Sequence, residues 1–397
     1  MKGLKFIILN TDYSEFQHWL YAQHPGMGDQ PYEDQMLARK DSLFSVVDFY
    51  SNNLGKLGCE AYDIVANNEF VQKAWAREHN IPIEEPTQTG QWVRTVFLHA
   101  RRITAKTPLS HLKFFLQPII GSLFGQPLWF YDILAAQIKY YKPDVLLNLD
   151  MYSIRSKFLK EMKQYVRLMV GQRAATRLPD SEDWSCYDLV ISSFPPTIDW
   201  FRQKGIPAEL LRLGFEPRVL SLVKPGSSSF DLTFVGSFFS VHRSRVALLE
   251  VLCDRFEQIR IWGPSIDYLS PNSSIRKYYI GQAWGREMYQ ILYNSKITLN
   301  HHGDIAPYAN NCRLYEATGV GSLLITDWKE NIYEMFEPGK EVVAYRNIEE
   351  CIELIKYYME HEEERKTIAH AGQQRTLHEH TYYRRMNELV EIIQEFL

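Results

Sequence analysis

The sequence has little cysteine and no strong excess of either charge. Its five cysteines are scattered without Cys-x-x-Cys spacing, and an odd number cannot pair fully within one chain. A reducing cytosol is therefore the simpler interpretation. The 44 basic and 48 acidic residues are interspersed and leave a net charge of -4, whereas a nucleic-acid-binding protein needs a concentrated basic face. We therefore expect neither a disulfide framework nor a nucleic-acid partner.

Long uninterrupted apolar runs are also missing. Segment 114–134 has no charge before Asp132, but its two prolines, two glutamines and two glycines make it a poor membrane-spanning helix. The first ten residues carry a lysine inside their apolar run and no small-residue cleavage site, which indicates a strand in preference to a signal peptide. We therefore expect a cytoplasmic protein.

What the chain does have is alternation. A length of 397 residues suits two domains. In both halves, apolar runs of about four to six residues alternate with helical segments, which is typical of a parallel sheet buried on both faces. Between the halves, segment 217–230 combines proline, glycine and a serine run that interrupt all periodicity. We predict two doubly wound α/β domains, 1–218 and 219–375, facing one another across a cleft, followed by an amphipathic segment, 376–397.

The strands and helices can be placed from these runs. The predicted strands are KFIILN, EAYDIVANN, DVLLNLD, YVRLMVG, DLVISS, AELLRLG, DLTFVGS, IRIWG, KITLN, SLLITD and EVVAY. Long helical regions are predicted at about 32–57 and through 94–106 in the first half, and at 242–256, 285–294 and from 348 onward in the second. Ligands of open parallel sheets bind outside the carboxyl ends of the strands, so the chemistry is expected in the cleft.

Segment 300–327 is the most informative part of the chain, because a strand, a polar loop, a helix start and a second strand follow one another there. Backbone N–H groups and the positive helix dipole favour an anion at such a helix start, and Arg313 would add a bidentate fork for phosphate. Glu316, one turn further on the same face, is well placed to accept hydrogen bonds from paired sugar hydroxyls. The loop before them collects further polar candidates: His301, His302, Asp304, Asn310 and Asn311.

Two further loops are expected at the same edge of the second sheet. Gly236 and Ser237 would let the backbone approach a diphosphate, with His242 and Arg243 as counter-charges at the next helix start. A single glycine there is usually explained by turn geometry alone, so the interpretation depends on both loops sharing one edge. The third loop holds two residues that would frame a nucleobase, although a buried tryptophan is as often ordinary core: Trp262 and Gly263.

The segments DLTFVGSFFSVHRSR, NxRxxEAxGxGxLLxTD, FEPGKEVVAYRNIEECIELIKYYMEH and AGQQRTLHEHTYYRRM together resemble the second domain of GT-B glycosyltransferases, in particular CgeB-type members of the glycosyl transferases group 1 class. The resemblance covers the C-terminal half almost continuously and the N-terminal half only loosely. It implies two Rossmann-like domains, with a last helix that crosses back to the first domain. It also implies that Glu316 holds the ribose of a nucleotide diphosphate sugar.

The resemblance has one departure and leaves the function partly open. Retaining relatives carry a second glutamate eight positions before Glu316, where this sequence has Tyr308. The implied activity is transfer of a sugar to a hydroxyl, on a glycan or surface-polysaccharide precursor, and a lipid-linked acceptor would call for docking at the inner face of a membrane. The alternatives are a nucleotide-sugar epimerase of the same fold and a non-catalytic nucleotide-sugar-binding assembly protein.

An inverting transferase needs a base across the cleft from the donor. Asp150 and Asp12 follow strands of the first domain directly, although aspartate is also a common cap and turn residue at such points. His18, His24 and His99 are weaker candidates. The Asp-x-Asp-x-x-x-Asp group of metal-dependent transferases is absent, and the His301–His302 pair has no third ligand at zinc spacing. We therefore predict no metal cofactor.

Overall fold

The computed structural model describes residues 3–83, 126–174, 178–179, 181–226 and 229–397. These residues form two sheets of six parallel strands. The first sheet has the order β2-β1-β3-β4-β5-β6 and consists of β1 (Lys5–Asn10), β2 (Glu60–Val65), β3 (Val145–Asn148), β4 (Leu168–Gln172), β5 (Leu189–Ser192) and β6 (Ala208–Leu210). The second has the order β12-β11-β10-β7-β8-β9 and consists of β7 (Phe230–Val235), β8 (Ile259–Trp262), β9 (Tyr279–Gly281), β10 (Ser295–Asn300), β11 (Leu323–Asp327) and β12 (Val343–Tyr345).

Apolar runs form these strands because both faces of each sheet are covered. Residues 6–9 of β1 and 323–327 of β11 are buried without interruption, as expected for parallel strands between helical layers. The predicted α/β class and strand runs are confirmed. Strand β9 was not predicted, because it has only three residues, YIG, and lies at the sheet edge, where no apolar run is needed.

Helices cover both sheets in the described residues. The first domain contains α1 (Ser14–Gln23), α2 (Tyr32–Ser42), α3 (Phe49–Lys56), α4 (Glu69–Glu78), α5 (Leu128–Tyr141), α6 (Ser156–Met162) and α7 (Pro195–Gln203). The second contains α8 (Arg243–Arg255), α9 (Ile275–Tyr278), α10 (Gly285–Tyr293), α11 (Arg313–Val320), α12 (Ile348–Glu360), α13 (Glu362–Glu379) and α14 (Tyr382–Gln394).

The helical region expected at 32–57 is two helices. Leu43 and Ser45 have φ angles of 56° and 57°, and such left-handed residues cannot continue a right-handed helix. Leu43 and Val47 are both buried in the core, so tertiary packing outweighs local helix propensity at this point. The helix expected through 94–106 lies outside the described residues.

The carboxyl ends of the two sheets face each other. Asn310, in the loop after β10, donates to the Ala174 carbonyl (2.6 Å) and accepts from the Ser193 hydroxyl (2.5 Å). Ala174 and Ser193 follow β4 and β5 of the first sheet. In each sheet the strand order reverses once, between β1 and β3 and between β7 and β10. These reversals mark the crevices in which open α/β sheets bind ligands.

The domains are also joined at the side of the cleft. Gly285, which begins α10 with a φ of 49°, leaves no room for a side chain, because a Cβ atom there would lie 1.9 Å from the Ser42 carbonyl oxygen at the end of α2. Trp284 packs edge-on against Phe44, with ring centroids 4.8 Å apart. The chain passes between the sheets after Leu210 and before Phe230.

The last helix returns to the first domain, as predicted. Tyr382, at the start of α14, lies against Phe49 and Tyr50 of α3, with ring centroids 5.2 and 5.6 Å apart. The Arg167 guanidinium donates to the Leu397 carbonyl (2.7 Å).

Segment 114–134 is described only from residue 126. Helix α5 begins at Leu128 and buries Phe130, Ile133 and Leu134 in the first-domain core. Within the described residues, no helix combines the length and apolarity that crossing a membrane requires. All five cysteines are free thiols.

Candidate functional site

Three loops meet at the carboxyl edge of the second sheet. The Gly236 N–H donates to the Trp262 carbonyl (2.9 Å), which ties the loop after β7 to the loop after β8. A Cβ atom on Gly263 would lie 1.8 Å from the Gly236 oxygen, so glycine is required for this close approach. Trp262 is buried and packs against Phe230, with ring centroids 5.2 Å apart. This packing is what we expect if Trp262 is an ordinary core residue.

Arg245 joins the loop after β7 to the loop after β10. Its guanidinium donates from Nη1 to the Ser237 carbonyl (3.0 Å) and from Nε and Nη2 to the His301 carbonyl (3.0 and 2.5 Å). Burial lowers the pKa of Arg245 to about 10. We did not single out this residue from the sequence. The available signal was its helical spacing with the buried Leu248, Leu249 and Leu252 of α8, which places it on the inward face.

Glu316 and Arg313 lie together at the start of α11. The Glu316 side chain is only 11% exposed, and its Oε2 atom is 2.9 Å from Arg313 Nη1. Burial raises the pKa of Glu316, while the Arg313 charge partly opposes that shift. Arg313 Nη2 donates to the Val235 carbonyl (3.1 Å) at the end of β7. Arg313 Nε is buried and has no hydrogen-bond partner.

His302 is oriented by a carboxylate. Its Nδ1 atom is 2.7 Å from Asp327 Oδ1, and the same oxygen accepts from the His302 N–H (3.0 Å). Burial raises the pKa of Asp327, but the His302 hydrogen bond and neighbouring charges hold it well below its usual range. The ring atom left over, Nε2, is buried and unpartnered. Asp327 was not among the sequence candidates, because as the last residue of β11 it was part of an apolar run.

His242 and Arg243 do not form the charged pair expected at the start of α8. Burial lowers the pKa of His242 to about 4, with the Arg245 charge acting in the same direction, so its ring is neutral at neutral pH. Its Nδ1 atom is buried without a partner. The Arg243 side chain is exposed. The positive charge at this edge comes instead from Arg245 and Arg313.

Asp304 and His301 serve the start of α8. Asp304 Oδ2 accepts from the Ser244 N–H (3.0 Å), and its Oδ1 accepts from the Ser244 hydroxyl, which together cap the helix. His301 lies between the Ser244 hydroxyl and the Tyr345 hydroxyl, each 2.8 Å from a ring nitrogen. These contacts place Asp304 at the start of α8, and the ligand contact expected for it stays a prediction.

Asn310 and Asn311 are engaged within the protein. Asn310 bridges the domains through Ala174 and Ser193, as described above. Asn311 donates to the Asn300 side chain (2.8 Å) and accepts from the Leu314 N–H (3.4 Å), which places it at the first turn of α11. Both residues therefore shape the loop and the cleft.

Asp12 lies in an ion pair at the first-domain edge. Arg39 donates from Nε and Nη2 to the two Asp12 oxygens (2.6 and 2.7 Å), and both side chains are almost fully buried. Arg39 Nη1 donates to the Val47 carbonyl (2.9 Å). Because both oxygens accept from one guanidinium, Asp12 has the environment of a structural ion pair and not that of a free base.

Asp150 is partly exposed at the first-sheet reversal. Its Oδ2 atom accepts from the Thr11 hydroxyl (2.5 Å), and its Oδ1 atom accepts from the N–H groups of Tyr152 and Ser153 (3.1 and 3.0 Å). The pKa of the nearby Tyr13 phenol is raised by desolvation and then by the charges of Cys312 and Asp150. His18 and His24 are exposed on and after α1, and His99 lies outside the described residues.

No cluster of three or more histidine, cysteine, aspartate or glutamate side chains is arranged to hold a metal ion in the part of the chain that the structure describes. The arrangement at the second-domain edge has a different chemistry. It combines a buried carboxylate, two guanidinium groups and three buried nitrogens without partners: Arg313 Nε, His302 Nε2 and His242 Nδ1.

The comparisons with known proteins agree with this architecture. Residues 243–391 match the model of a family described as "Glycosyl transferase-like". No curated protein matches the chain significantly by sequence.

Among solved structures, a glycosyltransferase from Rickettsia africae is similar, with a TM-score of 0.58 and 12% identity over 100% of this chain and 99% of that one. Anabaena Alr3699/HepE in complex with UDP-glucose is similar with a TM-score of 0.56 and 12% identity over 99% and 100% of the two chains. Sucrose-phosphate synthase from Thermosynechococcus elongatus has a TM-score of 0.56 and 11% identity over 99% of both chains. The chain therefore has the GT-B glycosyltransferase fold, and its residues 243–391 are similar to the glycosyl transferase-like family.

Proposed function

We propose that this protein is a glycosyltransferase that moves a sugar from a nucleotide diphosphate sugar to a hydroxyl group of a glycan or surface-polysaccharide precursor. The observation that carries the proposal is the buried Glu316–Arg313 pair at the second-sheet reversal, beside three buried nitrogens without partners. An unpartnered buried polar atom costs about 1 to 3 kcal/mol. A ligand rich in phosphate oxygens and hydroxyls would remove that cost at this edge.

Glu316 and Arg313 would bind different parts of the donor. Glu316 accepts hydrogen bonds from the paired hydroxyls of the ribose, and Arg313 Nε donates to a phosphate oxygen. His302, held by Asp327 through Nδ1, presents Nε2 to the sugar or the phosphate. The CgeB-type resemblance belongs to this proposal. Anabaena Alr3699/HepE shares the fold and was solved with UDP-glucose, so UDP-glucose is the first donor to test.

The transfer step needs one proton acceptor. In an inverting reaction, the acceptor hydroxyl attacks the anomeric carbon, its proton passes to Asp150, and the bond to the diphosphate oxygen breaks as the nucleotide diphosphate leaves. Asp150 is preferred to Asp12 because it is partly exposed, whereas both oxygens of Asp12 are engaged by Arg39. Arg313 and the helix start would donate to the leaving diphosphate, and Arg245, whose nitrogens already donate to Ser237 and His301, would add only its positive charge. We therefore propose that no metal is required.

Two other activities predict different behaviour. A nucleotide-sugar epimerase turns over the donor without any acceptor. A nucleotide-sugar-binding assembly protein binds the donor tightly without hydrolysis or transfer. We favour the transferase because the partly exposed Asp150 lies at the first-sheet edge that faces the second domain, where the acceptor hydroxyl would need a base. A cytoplasmic location is part of the same proposal. Docking at a membrane face is part of it as well, and would be needed if the acceptor is lipid-linked.

Thermal unfolding with a panel of nucleotide sugars tests the proposal. UDP-glucose at a hundred times its dissociation constant should stabilise the protein by about 2.7 kcal/mol. The same stabilisation should persist in excess chelator. Product analysis with radiolabelled donor then distinguishes transfer from epimerisation. Absence of stabilisation by every nucleotide diphosphate sugar would contradict the proposal, and activity that returns only with Mn²⁺ or Mg²⁺ would contradict its metal-free form.

A further inference from the structure

The first domain contains a pocket that is separate from the proposed donor site in the second domain. Its volume is about 310 Å³, at the small end of ligand sites and suited to a single ring. Four aromatic side chains contribute to its wall: Tyr21, Phe70, Trp129 and Phe130. The proposed reaction assigns no role to these side chains.

One aromatic in this wall is more exposed than core packing would leave it. Phe70 is 52% exposed, although it pairs with the Tyr21 ring at 4.7 Å between centroids. The ring also lies against Gly28, where an added Cβ atom would be 2.9 Å from it, but about half of Phe70 stays exposed and offers apolar surface to a ligand.

A second aromatic carries an unused donor. Trp129 is only 5% exposed, and its Nε1 atom is buried without a hydrogen-bond partner. Buried indole N–H groups usually find an acceptor, so this one calls for an explanation. Because Trp129 lines the pocket, a ligand bound there could supply the acceptor that the indole N–H lacks.

The remaining lining identifies the class of ligand. Gln17, His18, Asn67 and Gln126 add amide and imidazole groups, and Glu69 adds a carboxylate. No lysine or arginine lines the pocket among the described residues, so a phosphorylated or carboxylated ligand would find no counter-charge. Aromatic faces with neutral polar groups suit a ring that has both apolar C–H faces and hydroxyls.

The pocket is connected to the backbone of Asp12 and, through Ser153, to the carboxylate of Asp150. Asn67 accepts from the Asp12 N–H (2.9 Å) and donates to the Asp12 carbonyl (2.7 Å). Gln126 donates to the Ser153 carbonyl (3.2 Å), and the Ser153 N–H donates to Asp150. The pocket therefore borders the turn that carries the proposed base.

We propose that this pocket binds a neutral pyranose ring, stacked on Phe70 and hydrogen-bonded to the Trp129 indole, and that it is the acceptor-sugar subsite. The second part of this inference rests on the proposed function, whereas the first part, sugar binding, does not. The acceptor would accordingly be a glycan with an uncharged sugar near its reactive end.

The experiment uses the full chain labelled with 5-fluorotryptophan and observed by ¹⁹F NMR. The Trp129 resonance is the one that disappears in Trp129→Phe, which keeps an aromatic ring and removes the indole N–H. Methyl glucoside, methyl galactoside, methyl mannoside and 1-hexanol are titrated separately. We expect saturable movement of the Trp129 resonance with at least one glycoside. Movement with none of them, or with 1-hexanol alone, would overturn sugar binding.

Phe70→Ala should weaken that glycoside about three- to tenfold, the effect of losing one aromatic contact. Tyr383→Ala is the matched control, because Tyr383 is 46% exposed and lies on α14, outside the pocket. Phe70→Leu provides a variant that keeps the apolar bulk. Equal affinity in all these variants would contradict the stacking role.

Donor binding separates the two proposals. If UDP-glucose stabilises the protein and transfer occurs, but the KM for the acceptor is unchanged in Phe70→Ala, the subsite is wrong and the function stands. If glycosides move the Trp129 resonance while no nucleotide sugar binds, the sugar pocket stands and the transferase proposal falls.

Discussion

The two facing sheet edges differ in how their buried charges are satisfied. At the first-domain edge, Arg39 directs three of its nitrogens to Asp12 and the Val47 carbonyl, so the pair is saturated within the protein. At the second-domain edge, Arg313 shares Glu316 but keeps Nε without a partner, and His302 keeps Nε2 without one. The same residue types thus occur in a closed network on one side and an open one on the other.

This difference separates residues whose polar atoms are satisfied within the protein from residues that keep polar atoms free for the proposed donor. A buried ion pair with every donor satisfied is costly to break from either side, yet it has nothing left to offer a substrate. A buried carboxylate or guanidinium with unsatisfied atoms is poorly stabilised until something binds. Variants on the two edges should therefore move stability on one side and binding on the other.

Asp150 should be an exception at the first-domain edge, because changing it should affect catalysis and not mainly stability. Asp150→Asn is expected to lower turnover by about 10² to 10⁴-fold, or about 3 to 5 kcal/mol, with donor affinity nearly unchanged, because it removes a general base. Steady-state kinetics and calorimetric donor titration measure the two quantities. Thr11→Val is the control, since it removes the hydroxyl that bonds Asp150 Oδ2 and keeps the carboxylate. Normal turnover in Asp150→Asn, or retention of the anomeric configuration, would contradict the assignment.

Arg39→Met should cost about 3 to 5 kcal/mol of stability, because it leaves Asp12 buried and uncompensated. Urea unfolding gives the free energy. Arg243→Ala, at an exposed position of α8, is the control and should stay within about 0.5 kcal/mol. A loss in Arg39→Met no larger than in the control would show that the closed network is not what holds this edge.

Asp63 extends the comparison to pH. It is buried on β2, and desolvation raises its pKa to about 6, against an ordinary 3.8, although the Ser51 hydroxyl bond lowers it. A raised folded-state pKa gives stability that is present below about pH 3.8 and lost as pH rises through about 6. The loss corresponds to about 3 kcal/mol.

Asp63→Asn should remove this loss. The unfolding free energy of the natural protein, measured by urea titration from about pH 4.5 to 7.5, should fall relative to that of the variant across this range. Asp199→Asn, an exposed position on α7, should follow the natural protein. Parallel curves for the natural protein and Asp63→Asn would contradict the prediction.

Glu316→Ala should weaken donor binding by about 1.5 to 3 kcal/mol, the range for hydrogen bonds to a charged group. Glu316→Gln should lose less, because it keeps one acceptor oxygen. Isothermal titration with UDP-glucose measures both variants, and Glu330→Ala, an exposed position, is the control. Unchanged affinity in a folded Glu316→Ala protein would remove the carboxylate from the donor site.

Asp304→Ala should have the smallest effect. Losing the cap on α8 costs about 0.5 to 2 kcal/mol of stability, and donor affinity should not change. Thermal unfolding and donor titration on the same variant test this. A fall in donor affinity without a fall in stability would restore the ligand contact expected from the sequence.

The fold could be predicted from the sequence because its signals are local. Apolar runs such as LLITD at β11 report burial on both faces, whatever lies elsewhere in the chain. Glu316 and Arg313 were also identifiable, because a three-residue spacing puts them on one helix face and their ion pair follows from it. The short edge strand β9 and the break between α2 and α3 escaped because packing, and not local sequence, decides them.

The sequence by itself thus determined the α/β alternation, the two-domain plan and the residue types at the sheet edges. Only the tertiary structure decided which of those residues already have their polar atoms engaged by other groups of the protein. Asp12 meets Arg39, which lies 27 positions away, and Asn310 meets Ser193, which lies 117 positions away. The physical reason is that a carboxylate or amide acquires its role from the partner that desolvates and saturates it, and that partner is brought in by the fold.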